Sequence, residues 1–442
     1  MALPFWKLKR ELSRFWRQLC GAPLSLYDRL TATWLYDRRH AKDILIRDGD
    51  LPLGNKVAIF LIFPRNGLLQ SQKTGLQYLT NNGYAPFVVS NLPLSPDDER
   101  DILSLCWRYM QRPNVGYDFG GYRDAFLSLG DEAETLERLV FINDSSWFPL
   151  PQSRNWLQEA ETLGVDYAAA AASFAIPRVP MDAFRAIKWD YDPSLRNFHY
   201  ASYALSVGPA LLRDRKFHRY WQRYALTADK NKVVRRGEIG LTRFVLKHGF
   251  SHGATYDLRD LPEALAACSD KEINQIAREI TYLDDLSTET MLRTVVPELD
   301  ATRSAGDRQD LISFILTATA RIGVSYVLPE LLYRKHGFPF LKKSLASINK
   351  QNSDTMMPSP VGYPGQRDAS SKKNCTKSGA RKATQTRRYE PLLHANPFDT
   401  RHRTALKPRM DKCHFSSASK RPDCARPAKQ SWRTGTRSPT AV

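Results

Sequence analysis

The sequence predicts an α/β fold built on a doubly wound, mostly parallel sheet. The prediction rests on three short apolar runs, the helical patterns between them, and a polar cluster at the end of the third run. Residues 57–63 (Val57-Ala-Ile-Phe-Leu-Ile-Phe63) form a continuous apolar run rich in β-formers, as expected of a strand buried on both faces. Residues 68–81 then carry Leu69, Leu76 and Leu79 at helical spacing, and Asn82-Gly83 stops them. Residues 86–90 are a second strand. A helix begins at Ser95, which can cap it. Pro96 suits its first position, and Asp97, Asp98 and Glu99 favour the positive end of its dipole. That helix is expected to run to about Met110. After a Gly-rich loop over 112–124, residues 139–142 are the third strand, ending in Asn143-Asp144-Ser145. Strand and helix alternating in this way define a parallel sheet wound on both faces. Ligands of such sheets bind beyond the carboxyl ends of the strands, where Asn143, Asp144, Ser145 and the Gly-rich loop are expected.

Composition narrows the classes of function. The chain has 442 residues, 42% hydrophobic, with 65 Lys+Arg against 46 Asp+Glu, a formal charge of +19. No apolar run reaches the roughly 18–20 residues that span a bilayer, and six cysteines in this length do not make a disulfide framework. A multi-span transporter and a small secreted scaffold are thereby excluded. The charge is uneven. Residues 351–442 hold 19 Lys+Arg and 6 Asp+Glu, so about two-thirds of the excess lies there. Only seven Ile, Leu, Val and Phe occur in those 92 residues, the composition of a disordered segment. Cys375, Cys413 and Cys424 have no zinc-site spacing. The segment reads as a polybasic arm, as an extension without a role, or as the product of a shifted reading frame. It carries no signature of specific nucleic-acid recognition.

At the other end, Phe5, Trp6, Leu8, Leu12, Phe15, Trp16 and Leu19 recur at helical steps, with Lys7, Lys9, Arg10, Arg14 and Arg17 on much of the remainder. This pattern suits a helix lying in an anionic membrane interface, or one packed on its own domain. The organisation expected is residues 1–50 as basic amphipathic helices, 51–260 as the core, 261–350 as a helical part of it, and 351–442 as the basic tail.

The stretch 112–124 is the most informative. Gly116, Gly120 and Gly121 allow tight turns and close approach of a ligand to the backbone. Asp118 stands between Tyr117 and Phe119, and Arg123 follows. The spacing is neither a Walker loop nor a Rossmann fingerprint. The plainer reading is a Gly-rich turn with its aromatics in the core.

These residues resemble the rhamnan synthesis protein F family. The resemblance lies in Arg112-x-Asn114-x-Gly116-Tyr-Asp-Phe-Gly-Gly-Tyr-Arg123, followed by Leu139-Val-Phe-Ile-Asn-Asp-Ser-Ser-Trp-Phe-Pro149. His199-Tyr-Ala-Ser202-Tyr, Phe217-x3-Trp221, Gly237-Glu238-Ile-Gly-Leu-Thr242 and Gly337-Phe-Pro-Phe-Leu-Lys342 continue it in order. It covers roughly 55–345 and departs near Gly323-Val-Ser325. The resemblance implies a GT-A-like, Rossmann-like glycosyltransferase, a rhamnosyltransferase of cell-wall polysaccharide or lipopolysaccharide O-antigen synthesis. It implies dTDP-L-rhamnose as nucleotide-sugar donor and a lipid-linked glycan acceptor. The enzyme would be cytoplasmic and peripheral on the inner face of the cytoplasmic membrane. The alternative is a catalytically degenerate, glycosyltransferase-like scaffold.

Glycosyl transfer needs a base for the acceptor hydroxyl, compensation of charge on the leaving diphosphate, and orientation of the donor. Asp144, with Asn143 and Ser145, is the expected donor site and could hold Mg2+ or Mn2+ through oxygen; the plainer reading is an Asx-turn closing the strand. Arg112, Asn114, Gly116, Tyr117, Asp118, Gly120 and Arg123 complete the expected donor set, with the two arginines meeting diphosphate oxygens or forming ordinary ion pairs. Glu238 is the expected general base, with Asp118 and His199 as the other catalytic candidates and Asp190 and Asp192 as rival acids. Trp221 and Tyr224 read as core.

Overall fold

A computed structural model describes residues 31–345 except residue 284. The amphipathic pattern of 1–19 and the basic segment 351–442 lie outside the described residues. The strands are β1 (Leu45–Asp48), β2 (Lys56–Ile62), β3 (Ala85–Ser90), β4 (Arg108–Gln111), β5 (Arg138–Asn143), β6 (Ser146–Trp147), β7 (Tyr167–Ser173), β8 (His199–Tyr200), β9 (Ala204–Val207), β10 (His252–Tyr256) and β11 (Leu341–Lys342). Nine of them form one sheet in the order β1-β4-β3-β2-β5-β9-β7-β10, with β8 on β7. Six run in one direction; β1, β8 and β9 run against them. The fold is therefore mixed α/β with a large, mostly parallel sheet.

Burial on both faces explains the continuous apolar runs. Successive side chains of a strand point to opposite faces. Ala58, Phe60 and Ile62 of β2 enter one hydrophobic cluster, whereas Val57, Ile59 and Leu61 enter the other. The first cluster is closed by α1 (Gln70–Asn81), α2 (Pro96–Leu103), α4 (Trp156–Thr162) and the long α7 (Ala305–Ile322). The second is closed by α3 (Tyr117–Leu129), α5 (Arg215–Gln222) and α6 (Glu238–Lys247). Trp221 and Tyr224 lie in it, as expected of core residues. Helices of the part from 261 onward cover the first face, sharing its cluster with β2. No helix among the described residues is long and apolar enough to cross a membrane.

Two sequence expectations need correction, and one strand went unpredicted. Ser95 caps α2 as expected, accepting from the Asp98 amide at 3.1 Å, but the helix ends at Leu103 and residues 108–111 are a strand, not its last turn. Tyr109 and Met110 face opposite clusters, a period of two that four residues between β1 and β3 are too few to announce. Next, the Gly-rich stretch is a loop only to Gly116; from Tyr117 it is α3. Finally, β7 reads Tyr-Ala-Ala-Ala-Ala-Ala-Ser and was invisible as a strand because Ala has little β-propensity. Its small side chains are nonetheless buried on both faces.

The glycines of α3 serve packing. A Cβ on Gly120 would stand 2.0 Å from the Val115 carbonyl oxygen, and one on Gly121 would stand 2.6 Å from Leu61 of β2. Both let the helix lie close against its own entry loop and the sheet. These close approaches account for glycine at both positions. Gly116 precedes the helix at φ 82°, in the left-handed region glycine favours.

Candidate active site

The carboxyl ends of β2 and β5 lie side by side, and Asp144 joins them. Its amide donates to the Leu61 carbonyl at 3.0 Å, and its Oδ2 accepts from the Phe63 amide at 3.1 Å and from Gln72 Nε2 at 2.6 Å. Oδ1 makes no hydrogen bond among the described residues. Asn143, the last residue of β5, reaches the other way: Nδ2 donates to Asp118 Oδ2 at 2.8 Å, and Oδ1 accepts from the Ser145 amide at 3.1 Å. Asp118 stands in the first turn of α3, so one asparagine ties the helix start to the strand end. Ser145 is exposed, Asp118 and Asp144 are half-buried, and the Tyr117 ring is 44% exposed beside them.

A second group of side chains faces this one. Glu238 opens α6, and its carboxylate accepts from Ser202 Oγ at 3.0 Å and lies 3.1 Å from His199 Nε2. His199 Nδ1 is 2.8 Å from the Asn197 carbonyl, which can only accept. Nδ1 therefore donates, and Nε2 faces the Glu238 carboxylate. The short β6–β11 ladder brings in Lys342, with Leu341 opposite Trp147 and Lys342 opposite Ser146. Phe340 stacks on Phe148 with ring centroids 4.5 Å apart, fixing the end of this ladder. Lys342 is 8% exposed. Its Nζ donates to Ser145 Oγ at 3.1 Å and lies 3.8 Å from the Tyr203 ring centroid.

The two carboxyl groups are driven apart in proton affinity. Burial and the nearby Glu238 push Asp118 up to about 6. Burial also pushes Glu238 up, but the hydrogen bonds from His199 and Ser202 and the charge of Lys342 outweigh it and hold the group below its ordinary value. Burial lowers the Lys342 ammonium to about 8, against the pull of Asp118 and Glu238. The site thus holds one carboxyl poised near neutrality and one kept ionised, facing a buried cation.

The structure brings together Asp118, Asn143, Asp144, Ser145, His199 and Glu238. Asn114, exposed, and Tyr117 lie on the loop and helix start that carry Asp118. It does not bring Arg112 or Arg123, which corrects their expected role on a diphosphate. Arg112 donates through Nε to Asp124 at 2.7 Å, through Nη1 to Asn91 at 2.8 Å, and through Nη2 to the Val115 carbonyl at 2.8 Å and Tyr36 Oη at 3.0 Å. Arg123 holds both oxygens of Asp37 and also Asp124. Through Tyr36 and Asp37 they also fasten residues 31–39, which are helical, to α3, while Arg123 Nε is buried without a hydrogen-bond partner. Asp190 is exposed, and Asp192 closes a turn on the Ser194 amide. Sequence reasoning assigned no role to Gln72, Ser202 or Lys342. Lys342 ends the Gly337–Lys342 motif, and its burial beside Ser145, 197 residues away, was the missing signal.

Together, the fold and the site define an α/β protein with a polar cluster at the carboxyl edge of its sheet. Residues 87–279 match the model of the family described as rhamnan synthesis protein F, the family that the motifs at 112–123, 139–149 and 237–242 resemble. The chain is 26% identical over 341 residues to the uncharacterized protein y4gN of Sinorhizobium fredii, covering 76% of this chain and 83% of that one. It is 35% identical over 94 residues to virulence protein VirA of Vibrio anguillarum, 20% of this chain and 30% of that one. Among solved structures it is similar to core-mannan synthase A of Aspergillus fumigatus in its Mn/GDP form, with 11% identity and a TM-score of 0.23 over 40% of this chain and 65% of that one. The mannosyltransferase Ktr4p of S. cerevisiae gives 11% identity and a TM-score of 0.21, over 40% and 63%. The chain spans just under two thirds of each of these two structures.

Proposed function

We propose that this chain is a glycosyltransferase that moves a sugar from a nucleotide-sugar donor to a lipid-linked glycan. The donor proposed is dTDP-L-rhamnose, and the product is a cell-wall polysaccharide or lipopolysaccharide O-antigen made at the inner face of the cytoplasmic membrane. The observation that carries the reading is the convergence of the family motifs. Asp118, Asn143-Asp144-Ser145, His199 and Glu238, spread over 121 residues, meet in one polar cluster at the carboxyl edge of the sheet.

In this reading the acceptor hydroxyl attacks the anomeric carbon, the bond from that carbon to the diphosphate oxygen breaks, and the nucleoside diphosphate leaves with the bonding pair. Asp118 takes the acceptor proton. Its carboxyl, raised to about 6 by burial and by Glu238, is ionised at neutral pH and is a stronger base than an ordinary aspartate. Glu238, the base expected from sequence, is held ionised by His199 and Ser202, which makes it the weaker base; its fixed charge suits the cationic character that develops on the sugar ring. Asp144 has one carboxylate oxygen outside its bonds to Phe63 and Gln72. That fits Mg2+ or Mn2+ held by one carboxylate and by donor phosphates, whose chemistry would be to neutralise the leaving diphosphate.

The test is a transfer and donor-hydrolysis assay with dTDP-rhamnose and with UDP-, GDP- and ADP-sugars. Turnover of a nucleotide sugar is expected. Absence of both turnover and nucleotide binding across the panel overturns the reading.

A further inference from the structure

We propose that Lys342 is a diphosphate-binding residue: its buried ammonium is a built-in cation that faces the leaving diphosphate. The inference rests on the glycosyltransferase reading and adds a residue to it.

Lys342 has an incomplete set of partners. An ammonium has three donors and no acceptor. Lys342 is more than nine-tenths buried, and among the described residues it makes one hydrogen bond, to the neutral Ser145 hydroxyl, and no ion pair. Its remaining contacts are the faces of Tyr203, 3.8 Å from the centroid, and Tyr326, 5.7 Å away. Buried cations are normally paired or bonded on every donor, because the charge has been taken out of water. Asp118 and Glu238 act on Lys342 through their fields, without direct ion pairs. The ammonium is therefore stabilised from a distance and left with donors to offer. Ser145, its one partner, is exposed and follows Asp144 at the end of β5, so the open side of the ammonium is the side of the expected donor.

The scaffold holds Lys342 firmly. β11 is paired to β6, which directly follows the Asn143-Asp144-Ser145 turn, and the Lys343 amide donates to the Ser145 carbonyl at 2.9 Å. Phe340 is clamped by Phe148 and Trp156. A cation fixed in this way in a dry site needs no reorganisation as negative charge grows on the leaving oxygen. The faces of Tyr203 and Tyr326 lie beside the ammonium and favour its charge.

The experiment measures binding of dTDP, inorganic pyrophosphate and thymidine by calorimetry, with and without chelator, to the wild-type chain, Lys342→Met and Lys342→Arg, each checked by near-UV circular dichroism. Lys342→Met should weaken dTDP and pyrophosphate at least about tenfold, a typical loss for one charge-assisted contact, and leave thymidine unchanged. Lys342→Arg should keep part of the diphosphate affinity. Should Lys342→Met not fold, Lys342→Gln carries the same expectation. Equal dTDP and pyrophosphate affinity in the wild type and in the folded neutral variant overturns the assignment, even where the wild type turns over a nucleotide sugar. Pyrophosphate binding that depends on Lys342, in a chain that binds no nucleoside diphosphate, would support the anion site and overturn the nucleotide-sugar reading instead. A wild-type chain that binds neither pyrophosphate nor dTDP overturns both.

Discussion

Two polar clusters lie on α3, and they are built on opposite principles. Around Arg112, Arg123, Asp124 and Tyr36 every charge has its partner: the Arg112 guanidinium is spent on four groups, and Asp124 accepts from both arginines and from Tyr36 at 2.5 Å. One turn earlier, Asp118 faces Glu238 and Asp144, charges of its own sign, and Lys342 keeps donors free. The first cluster is ion-paired and fastens the helical residues 31–39 to the core, with Arg123 Nε left as a buried donor without a partner. The second is left open at some cost to stability, which is the pattern of a site that waits for a ligand.

Substitutions should separate the two. The largest effect on activity is expected from Asp118→Ala and Asp144→Ala. Each should reduce glycosyl transfer by roughly 10²–10⁴, the range for loss of a base or an electrostatic stabiliser, with a melting temperature close to wild type. Transfer at wild-type rates in both variants would break the distinction between the clusters. Arg112→Ala should do the reverse. It leaves Asp124 buried at 3% exposure beside fewer donors and should cost about 3–5 kcal/mol of folding free energy, read as a large drop in urea midpoint.

The pH dependence sharpens the contrast. Because Asp118 is raised to about 6 in the folded chain, transfer should fall with protonation as pH drops through 6. The linked stability has the opposite slope: a carboxyl with a folded pKa above its unfolded one binds more protons when folded, so stability declines as pH rises from about 4 to 6. Asp118→Asn should therefore be more stable than wild type at pH 8, by on the order of 1 kcal/mol, with the difference vanishing near pH 4 in parallel melts. A variant less stable than wild type at pH 8 would count against this account of Asp118.

Much of this architecture was legible in the sequence. The runs at 57–63, 86–90 and 139–142 became β2, β3 and β5 because strands buried on both faces need continuous apolar residues. Asn143 and Asp144 stand at the strand end where the alternation placed them. What stayed hidden was non-local. β4 is too short to show a period, and β7 is a run of alanines selected by space and not by propensity. Arg112 and Arg123 looked like phosphate ligands because their partners Asp37 and Tyr36 lie about eighty residues earlier. Lys342 reaches the site through a ladder of two residues closed across nearly two hundred.

Smaller effects follow from packing. Gly121→Ala forces a methyl against Leu61 at 2.6 Å and should lower stability by about 1–3 kcal/mol, with activity retained in the folded fraction. The smallest effect is expected from removing residues 351–442. The motifs end before them, so nucleotide binding should be unchanged, and any nonspecific, salt-dependent affinity for DNA should disappear.

The most direct test of the central claim is single-turnover transfer from a nucleotide sugar across pH 5–8 by the wild-type chain and by Asp118→Asn. The wild-type rate should rise through a pKa near 6, and the variant should be at least about a hundredfold slower with that limb gone. A variant with the wild-type rate and profile would contradict that claim.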